Sequence, residues 1–157
     1  MMRSSVKFWT AAETGYIAGI IDGEGCIGVY RSSDRDRTFF LQITIANTNI
    51  AVLEWLKNKF GCGYLAPQST SKTRPKNKQS YSLEVSRMKA YEILLRVLPY
   101  LIIKKTQAHL GLKFKVWQNG RKPSGEYRPY SEQDNKTGES FVAQSRILNK
   151  KGVTKCH

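Results

Sequence analysis

The sequence is short of apolar runs and of cysteine. It has no stretch close to the roughly 20 apolar residues that cross a bilayer, and its opening, MMRSSVKFWT, lacks the apolar core of a secretory signal. Its three cysteines, Cys26, Cys62 and Cys156, are odd in number and lack metal-type spacing. These absences argue against a membrane partner, a disulfide framework and a zinc site. They predict an intracellular protein, without separating an organelle, a nucleus and a prokaryotic cytoplasm.

Acidic residues are also scarce. Asp and Glu total 12 against 26 Lys and Arg, which gives a net charge of +14. A chain of 157 residues with 40% hydrophobic residues is long enough for one globular core. A single domain with such a positive charge is typical of proteins that bind a polyanion. Lys and Arg cluster in particular at residues 72–78, a segment that contains no Asp or Glu.

The pattern of apolar residues predicts an α+β fold. Thr10 and Glu13 fit a capping box, so we expect a helix from Ala11 to about Asp22. Alternating residues predict two β-hairpins, and apolar residues at helical spacing predict the intervening helices. The expected order is α-β-β-α-β-β-α plus an extra helix. Its parts are strands near 27–30, 38–47, 63–70 and 79–86, helices at 49–60, 87–98 and 101–117, a polar loop at 118–138 and a short basic helix from 139.

The first helix contains an unusual stretch, GYIAGIIDGEGCIGVY, at residues 15–30. Ala11, Gly15 and Gly19 are four residues apart and therefore share one face. A face without large side chains lets another backbone approach closely, which is one use that justifies glycine in a helix. Only one such helix exists in the chain, so its natural partner is the same helix in a second copy, related by twofold symmetry.

The same stretch ends in two carboxylates, Asp22 and Glu24, at the helix end where negative charge is unfavourable. Two such ends lying side by side need a compensating cation. A hard divalent ion with oxygen ligands, such as Mg²⁺, meets that need. Carboxylates and Mg²⁺ beside a polyanion-binding surface indicate hydrolysis of phosphodiester bonds.

Within this stretch, YIAGIIDGEG at residues 16–25 resembles the signature of the LAGLIDADG homing endonuclease family in its single-motif form. The segments FGCGYL and PYLIIKKTQAHL resemble further landmarks of that family, so the likeness extends over about 120 residues. The resemblance implies a saddle whose antiparallel sheet lies in the major groove of double-stranded DNA. It also implies a homodimer that uses Mg²⁺. Mn²⁺ is expected to substitute, and Ca²⁺ to support binding without cleavage.

The resemblance also assigns residues to roles. Glu24 is expected to bind the metal, with the Gly23 carbonyl as a further ligand. Lys104 matches the family's catalytic lysine by position, although Lys105 lies close enough to leave the choice open. Asn47 stands near the place of a solvent-positioning residue that is usually Gln in the family. The motif helices form the dimer interface, for which the expected residues are Ala11, Gly15, Ala18, Gly19 and Asp22.

The alternation along the strands predicts which side chains face DNA. Core-facing residues in the second strand leave Gln42 and Thr44 on the opposite face, and the other strands follow the same rule. Side chains of this kind pair with the edges of nucleobases in the major groove. The Lys and Arg side chains of the second hairpin are expected to reach phosphates or guanines. The expected DNA contacts are Tyr30, Ser32, Gln42, Thr44, Tyr64, Gln68, Thr70, Lys72, Arg74, Lys76, Lys78, Ser80, Ser82 and Glu84.

These observations predict a homodimeric, site-specific double-strand DNA endonuclease that acts on a long pseudo-palindromic site. Residues 1–117 would form the endonuclease core, and residues 118–157 a polar basic extension that contacts DNA. The alternative is a non-cleaving nucleic-acid binder on the same fold, either an intron RNA-splicing maturase or a DNA-binding regulator. A basic protein that merely coats nucleic acid would need no paired acids.

Overall fold

The computed structural model describes residues 8–32, 38–68, 78–121 and 128–150. The predicted α+β class is confirmed, and the two predicted hairpins are present. The elements, in chain order, are α1 (Ala11–Glu24), β1 (Gly25–Arg31), β2 (Phe39–Asn47), α2 (Ile50–Phe60), β3 (Tyr64–Pro67), β4 (Tyr81–Ser86), α3 (Arg87–Val97), α4 (Lys105–Gly120) and α5 (Glu132–Leu148), with a 3-10 turn at Leu98–Tyr100.

Side chains at the helix termini explain where the first two helices begin. The Thr10 hydroxyl accepts from the Glu13 N–H at 3.2 Å, and the Glu13 carboxylate accepts from the Thr10 N–H at 2.9 Å. This capping box confirms the predicted start of α1 at Ala11. Asn49 caps α2 by accepting from the Ala51 N–H, and α2 ends at Gly61 in the left-handed region, with φ 67°.

The four strands form one antiparallel sheet in the order β1-β2-β4-β3. Residues of β2 alternate between the two faces, and Phe39, Leu41, Ile43 and Ile45 are at most 1% exposed. They share the core with residues of all five helices, whereas Gln42, Thr44 and their neighbours on the opposite face are partly exposed. The helices therefore cover one face of the sheet, and the other face stays open to solvent.

The C-terminal part of the chain differs from the prediction in its boundaries. Helix α4 begins at Lys105, not at Leu101, and continues through Gly120. Helix α5 begins at Glu132, inside the segment predicted as loop, because Ser131 and Asp134 form a second capping box. That box was readable in the sequence, but the polar composition of residues 118–138 favoured a loop.

Helix α5 packs along β1, which is an edge strand of the sheet. The buried Ser145 hydroxyl accepts from the Val29 N–H at 3.0 Å, and the Asn149 amide donates to the Ile27 carbonyl at 2.9 Å. Gly138 lies against the Phe39 ring so closely that any Cβ would overlap it. These side chains satisfy backbone groups that an open edge would expose. The described part of the predicted extension thus packs directly on the core.

An ion pair fixes the start of α5, and it leads to a prediction about pH. Asp134 pairs with Arg121 at 3.0 Å, and the two side chains are 15% and 4% exposed. The Arg121 hydrogen bond holds the pKa of Asp134 well below its usual range. A carboxyl pKa that folding depresses gives stability above the unfolded pKa of about 3.9, and this stability is lost as the pH falls below it.

We therefore expect Asp134→Asn to lower the free energy of unfolding at pH 7 by about 2 kcal/mol. The difference from wild type should shrink as the pH falls below about 4, because the unfolded wild-type chain then takes up a proton at this carboxyl that the folded chain binds only at a lower pH. Denaturant unfolding across this pH range measures it. Glu132→Gln is the matched control, since its pair with Lys136 is exposed and should contribute almost nothing. Equal effects of the two variants at pH 7 would contradict the prediction.

Candidate functional site

The junction between α1 and β1 places Glu24 at one end of the sheet. Gly25 leaves the helix with φ −85° and ψ 159°, and its N–H donates to the Ile21 carbonyl. A Cβ on Gly25 would lie only 2.6 Å from that carbonyl oxygen, so the junction requires glycine. Glu24 is exposed, and within the described residues its carboxylate has no hydrogen bond or ion pair. It is therefore available to a ligand.

The other motif acid, Asp22, is used inside the chain. Its side chain is almost buried, with the residue 8% exposed. One carboxylate oxygen accepts from the Ile102 N–H at 2.7 Å and the other from the Lys104 N–H at 2.9 Å. These N–H groups belong to the segment that leads into α4. Asp22 therefore stands at the unfavourable end of one helix and the favourable end of another, which resolves the apparent misplacement of its charge.

Lys104 contacts the same turn through its side chain. Its ammonium group donates a hydrogen bond to the backbone carbonyl oxygen of Asp22. Lys105, by contrast, is the exposed first residue of α4. The structure thus places the Lys104 ammonium two residues from Glu24 along α1. The Asp22 carboxylate accepts from the Lys104 backbone N–H, and the Asp22 backbone carbonyl accepts from the Lys104 ammonium.

Asn47 lies at the end of the sheet where Glu24 lies. Gly25 pairs with Ile45, so Asn47, the last residue of β2, is two residues beyond that pair. The Asn47 side-chain oxygen accepts from the Asn49 N–H at 2.8 Å and so orders the turn into α2. This local hydrogen bond orients the Asn47 side chain, which the family resemblance predicts to position a solvent molecule.

One chain supplies few ligands for a metal. Among the described residues there is no group of three or more His, Cys, Asp or Glu side chains that could hold an ion. The junction offers the Glu24 carboxylate and the carbonyls of the last helical turn, which a helix leaves without intrahelical partners. Hard oxygen donors of this kind suit Mg²⁺, Ca²⁺ or Mn²⁺, whereas softer transition metals prefer nitrogen and sulfur ligands. A complete coordination sphere would require water, phosphate oxygens or a second chain.

The outward face of α1 is smooth. A Cβ on Gly19 or Gly23 would have no atom of the described residues within 4 Å, so no contact in this part of the chain explains these glycines. Ala12 and Tyr16 also lie on this exposed face, although neither is among the predicted interface residues. Ala18 does not belong to it, because Ala18 is 0% exposed and packs in the core with Ile17 and Ile21. That placement corrects the assignment of Ala18 to an interface.

Apolar side chains extend this face beyond α1. Tyr100, Ile102 and Ile103 are 45%, 86% and 63% exposed. A Cβ on Gly15 would lie 3.8 Å from the Tyr100 ring, which joins the two segments into one surface. Exposed apolar side chains next to a helix of small residues mark a surface suited to contact with another protein.

The open face of the sheet carries six of the residues predicted to contact DNA, namely Tyr30, Gln42, Thr44, Tyr64, Ser82 and Glu84. Cross-strand pairing aligns Cys26, Thr44, Glu84 and Tyr64 in one row across the four strands. Gln42 donates to the Thr44 hydroxyl at 3.0 Å, and the Ser80 hydroxyl donates to the Gln68 side chain at 3.1 Å. Ser32, Gln68, Lys78 and Ser80 flank the strands, whereas Thr70, Lys72, Arg74 and Lys76 lie outside the described residues.

Two residues on this face differ in accessibility. Ser82 is only 8% exposed, so it offers the least surface of the predicted contacts. Tyr30 is 37% exposed, and burial of its ring raises the pKa of its hydroxyl to about 12. At neutral pH Tyr30 is therefore uncharged and remains able to donate a hydrogen bond.

Three side chains on or beside this face are not among the predicted DNA contacts. Phe40 packs 5.9 Å from the Tyr30 ring, and Cys26 lies 3.8 Å from the Tyr30 hydroxyl. The third is Arg87, whose guanidinium lies over the Phe40 ring. Cys26 and Phe40 follow from the same alternation as their neighbours. Arg87 does not, because it stands at the first position of α3.

The profile of the LAGLIDADG endonuclease family matches residues 17–120 of this chain. The fold matches two solved structures of homing endonucleases with their DNA. One, described as I-CvuI in complex with its target in the presence of Ca, has TM-score 0.67 and 19% identity over 93% of this chain and 87% of that one. The other, described as the archaeal intron-encoded I-Vdi141I complexed with DNA, has TM-score 0.69 and 21% identity over 93% and 89%. No curated protein sequence matches significantly.

The matched residues run from the motif helix through α4 and cover well over half of the chain. The chain belongs to the LAGLIDADG endonuclease family. The predicted fold of that family is thereby confirmed. Among the described residues no helix is both long and apolar enough to cross a membrane.

Proposed function

We propose that this protein is a site-specific double-strand DNA endonuclease that acts as a homodimer on a long, pseudo-palindromic site. The observation that carries the proposal is the α1–β1 junction. There Glu24, a carboxylate with no partner among the described residues, lies two residues along α1 from Asp22, whose backbone carbonyl accepts from the Lys104 ammonium. The net charge of +14 supplies the attraction for a polyanion.

The smooth face of α1 supports the homodimer. Within the described ranges Gly19 and Gly23 have no neighbour within 4 Å of a Cβ, so a second α1 can approach at backbone distance. Twofold symmetry would bring the two Glu24 carboxylates close to one axis and present two equivalent junctions. Two DNA strands can then be cut, one at each junction. The apolar surface at Tyr100, Ile102 and Ile103 would be covered in the same contact.

The residues at the junction fit a division of labour in phosphodiester hydrolysis. Glu24 and the Gly23 carbonyl would hold Mg²⁺, with Mn²⁺ able to replace it and Ca²⁺ supporting binding only. When bound, the ion polarises the phosphoryl group and lowers the pKa of water in contact with it. Lys104 offers a positive charge to the phosphate oxygens. Asn47 orients solvent, and Asp22 keeps Lys104 in place through its two backbone hydrogen bonds.

The open face of the sheet would lie in the major groove. Its Gln, Ser, Thr and Glu side chains can pair with base edges there. The Lys and Arg side chains of the β3–β4 hairpin would reach the sugar-phosphate backbone of the flanking DNA. The basic C-terminal residues would add contacts to phosphates, which position the protein without reading sequence.

Cleavage of a randomised duplex library with Mg²⁺ tests the proposal. The expected result is enrichment of one sequence with approximate twofold symmetry, cut on both strands. A library that is bound but never cut, with Mg²⁺ or Mn²⁺, would instead favour the non-cleaving binder. A library cut without sequence preference would reject site specificity.

The β3–β4 hairpin carries a prediction about salt. Replacing Lys72, Arg74, Lys76 and Lys78 by alanine removes four positive charges per subunit, or eight per dimer. If each neutralises one phosphate, the slope of log affinity against log salt should become shallower by about 7, at about 0.9 per contact. Binding of selected and scrambled duplexes over a range of salt measures the slope. An unchanged slope with unchanged base preference would show that the hairpin does not meet DNA.

The two adjacent lysines carry a second prediction. Lys104→Gln should slow cleavage by about a hundredfold or more at saturating DNA, because it removes the charge that contacts the α1 terminus. Lys105→Gln should leave the rate almost unchanged, since Lys105 points to solvent. Single-turnover cleavage compares the two variants, each of which loses one charge. The reverse order of effects would assign the catalytic role to Lys105.

A further inference from the structure

Arg87 stands in an unusual backbone conformation. Its φ is 61°, and it is the only residue other than glycine with positive φ among the described ranges. L-residues pay an energetic penalty in this region, which glycine and, less often, asparagine occupy. The preceding residue, Ser86, makes no side-chain cap that would explain the conformation. A strained backbone that persists at an exposed arginine is a reason to look for a function.

The conformation has a consequence for the side chain. The Arg87 guanidinium lies over the Phe40 ring at 5.7 Å from its centroid, and the Phe40 ring lies 5.9 Å from that of Tyr30. Ser86 pairs with Gln42, so this cluster continues the open face outward from Gln42. Stacking on an aromatic ring restricts a planar guanidinium to few orientations, which reduces the entropy lost when it binds a ligand. The strained turn therefore holds Arg87 on the sheet face.

The cluster is positively charged without local compensation. No ion pair joins Arg87 to an acid in the described part of the chain. Burial lowers the pKa of the Lys115 ammonium, and the nearby positive charge of Arg87 lowers it further. Lys115 is buried and donates to Gln118, so Arg87 is the cation of this pair that a ligand on the open face can reach.

We propose that Arg87, held on Phe40 and Tyr30, reads a guanine in the major groove. The inference rests on the proposed function, because it requires the open sheet face to enter that groove. Guanine presents two acceptors there, O6 and N7, and arginine is the side chain that matches both at once. A base contact is favoured over a phosphate contact because Phe40 lies on the face of the sheet, in line with Gln42 and Thr44 along β2.

The register of the sheet gives the position of this base. Gly25 pairs with Ile45 next to Glu24, and Tyr30 pairs with Phe40 five residues further out. At about 3.3 Å per residue this separation is roughly 16 Å. One base pair occupies about 3.4 Å along the helix axis, so the guanine should lie about five base pairs outward from each cleaved phosphate.

The test uses the full-length protein and the duplex that wild type selects from the randomised library. Binding in Ca²⁺ is measured with duplexes that carry each of the four bases at every position. Wild type should prefer guanine at the stated position of each half-site by about tenfold or more. Arg87→Ala should lose that preference and keep those at other positions. Lys57→Ala, which removes one exposed charge from α2, is the matched control and should keep all of them.

A second variant separates reading from folding. Arg87→Gly should lose the guanine preference as Arg87→Ala does, yet unfold at a higher temperature than the alanine variant, because only glycine adopts this φ without strain. Loss of preference in both variants despite their different stabilities supports the proposal.

Other outcomes overturn it. Equal weakening on all sequences, with a salt slope shallower by about 1.8 per dimer, would make Arg87 a phosphate contact. Unchanged base preference in both variants would show that Arg87 does not read DNA. If wild type selects no sequence at all, the proposed function has failed before any Arg87 variant is compared.

Discussion

Replacing Glu24 by Gln is expected to reduce the rate of DNA cleavage about a thousandfold or more, while DNA affinity changes only a few-fold. The substitution keeps the shape of the side chain but removes the charge that a divalent ion requires. Among the described residues Glu24 has no internal partner, so the fold should not depend on it. Single-turnover cleavage with Mg²⁺ gives the rate, and binding with Ca²⁺ gives the affinity.

Glu54→Gln is the control for this experiment. Glu54 is an exposed carboxylate on α2, so the variant changes the net charge by the same amount without touching the junction. It should cut at the wild-type rate. Near wild-type cleavage by Glu24→Gln would show that the metal is held elsewhere. Loss of binding together with cleavage would show instead that Glu24 stabilises the complex with DNA.

The second large effect is expected from Gly19→Leu, which should separate the two subunits. In one chain the added side chain meets open space, so the monomer should keep its stability. In a dimer packed through α1 it would force the backbones apart. Overpacking costs roughly 1–3 kcal/mol at each site, and twofold symmetry doubles the cost. At about 1.4 kcal/mol per tenfold change, dimerisation should weaken by roughly a hundredfold or more.

Sedimentation or light scattering over a range of concentration measures this change, and thermal unfolding confirms that the monomer remains folded. Ala143→Leu adds the same side chain to an exposed position of α5 and should leave assembly unchanged. A wild-type protein that stays monomeric both free and on DNA would contradict the prediction. A dimer that tolerates leucine at position 19 would place the interface on another surface.

Local patterns in the sequence were sufficient for most elements of the fold. The start of α1 follows from Thr10 and Glu13, because both partners of that cap lie within one helical turn. The faces of β2 follow from strict alternation, which period-two geometry imposes on any strand. Helix α5 begins earlier than the composition predicts, since a polar segment with one short capping signal resembles a loop until its apolar face packs on β1.

The candidate site divides in the same way. Short-range sequence identified Glu24, the glycines of α1 and the basic hairpin, since each depends on residues close together in the chain. The role of Asp22 required the tertiary structure, because its two backbone partners are 80 and 82 residues away. The burial of Ala18 also depended on packing, because α1 is apolar on both sides and its sequence does not show which side meets the core.

By itself the sequence determined the class of fold, the basic character and the motif, because propensity, alternation and charge act through neighbours. Only the tertiary structure decided which of the two lysines, Lys104 or Lys105, places its ammonium at the end of α1. The two are equivalent in the sequence until the segment that leads into α4 packs against that turn. The tertiary structure alone placed Arg87 over Phe40, because the two residues lie on different elements and the positive φ of Arg87 is not foreseen by local propensity.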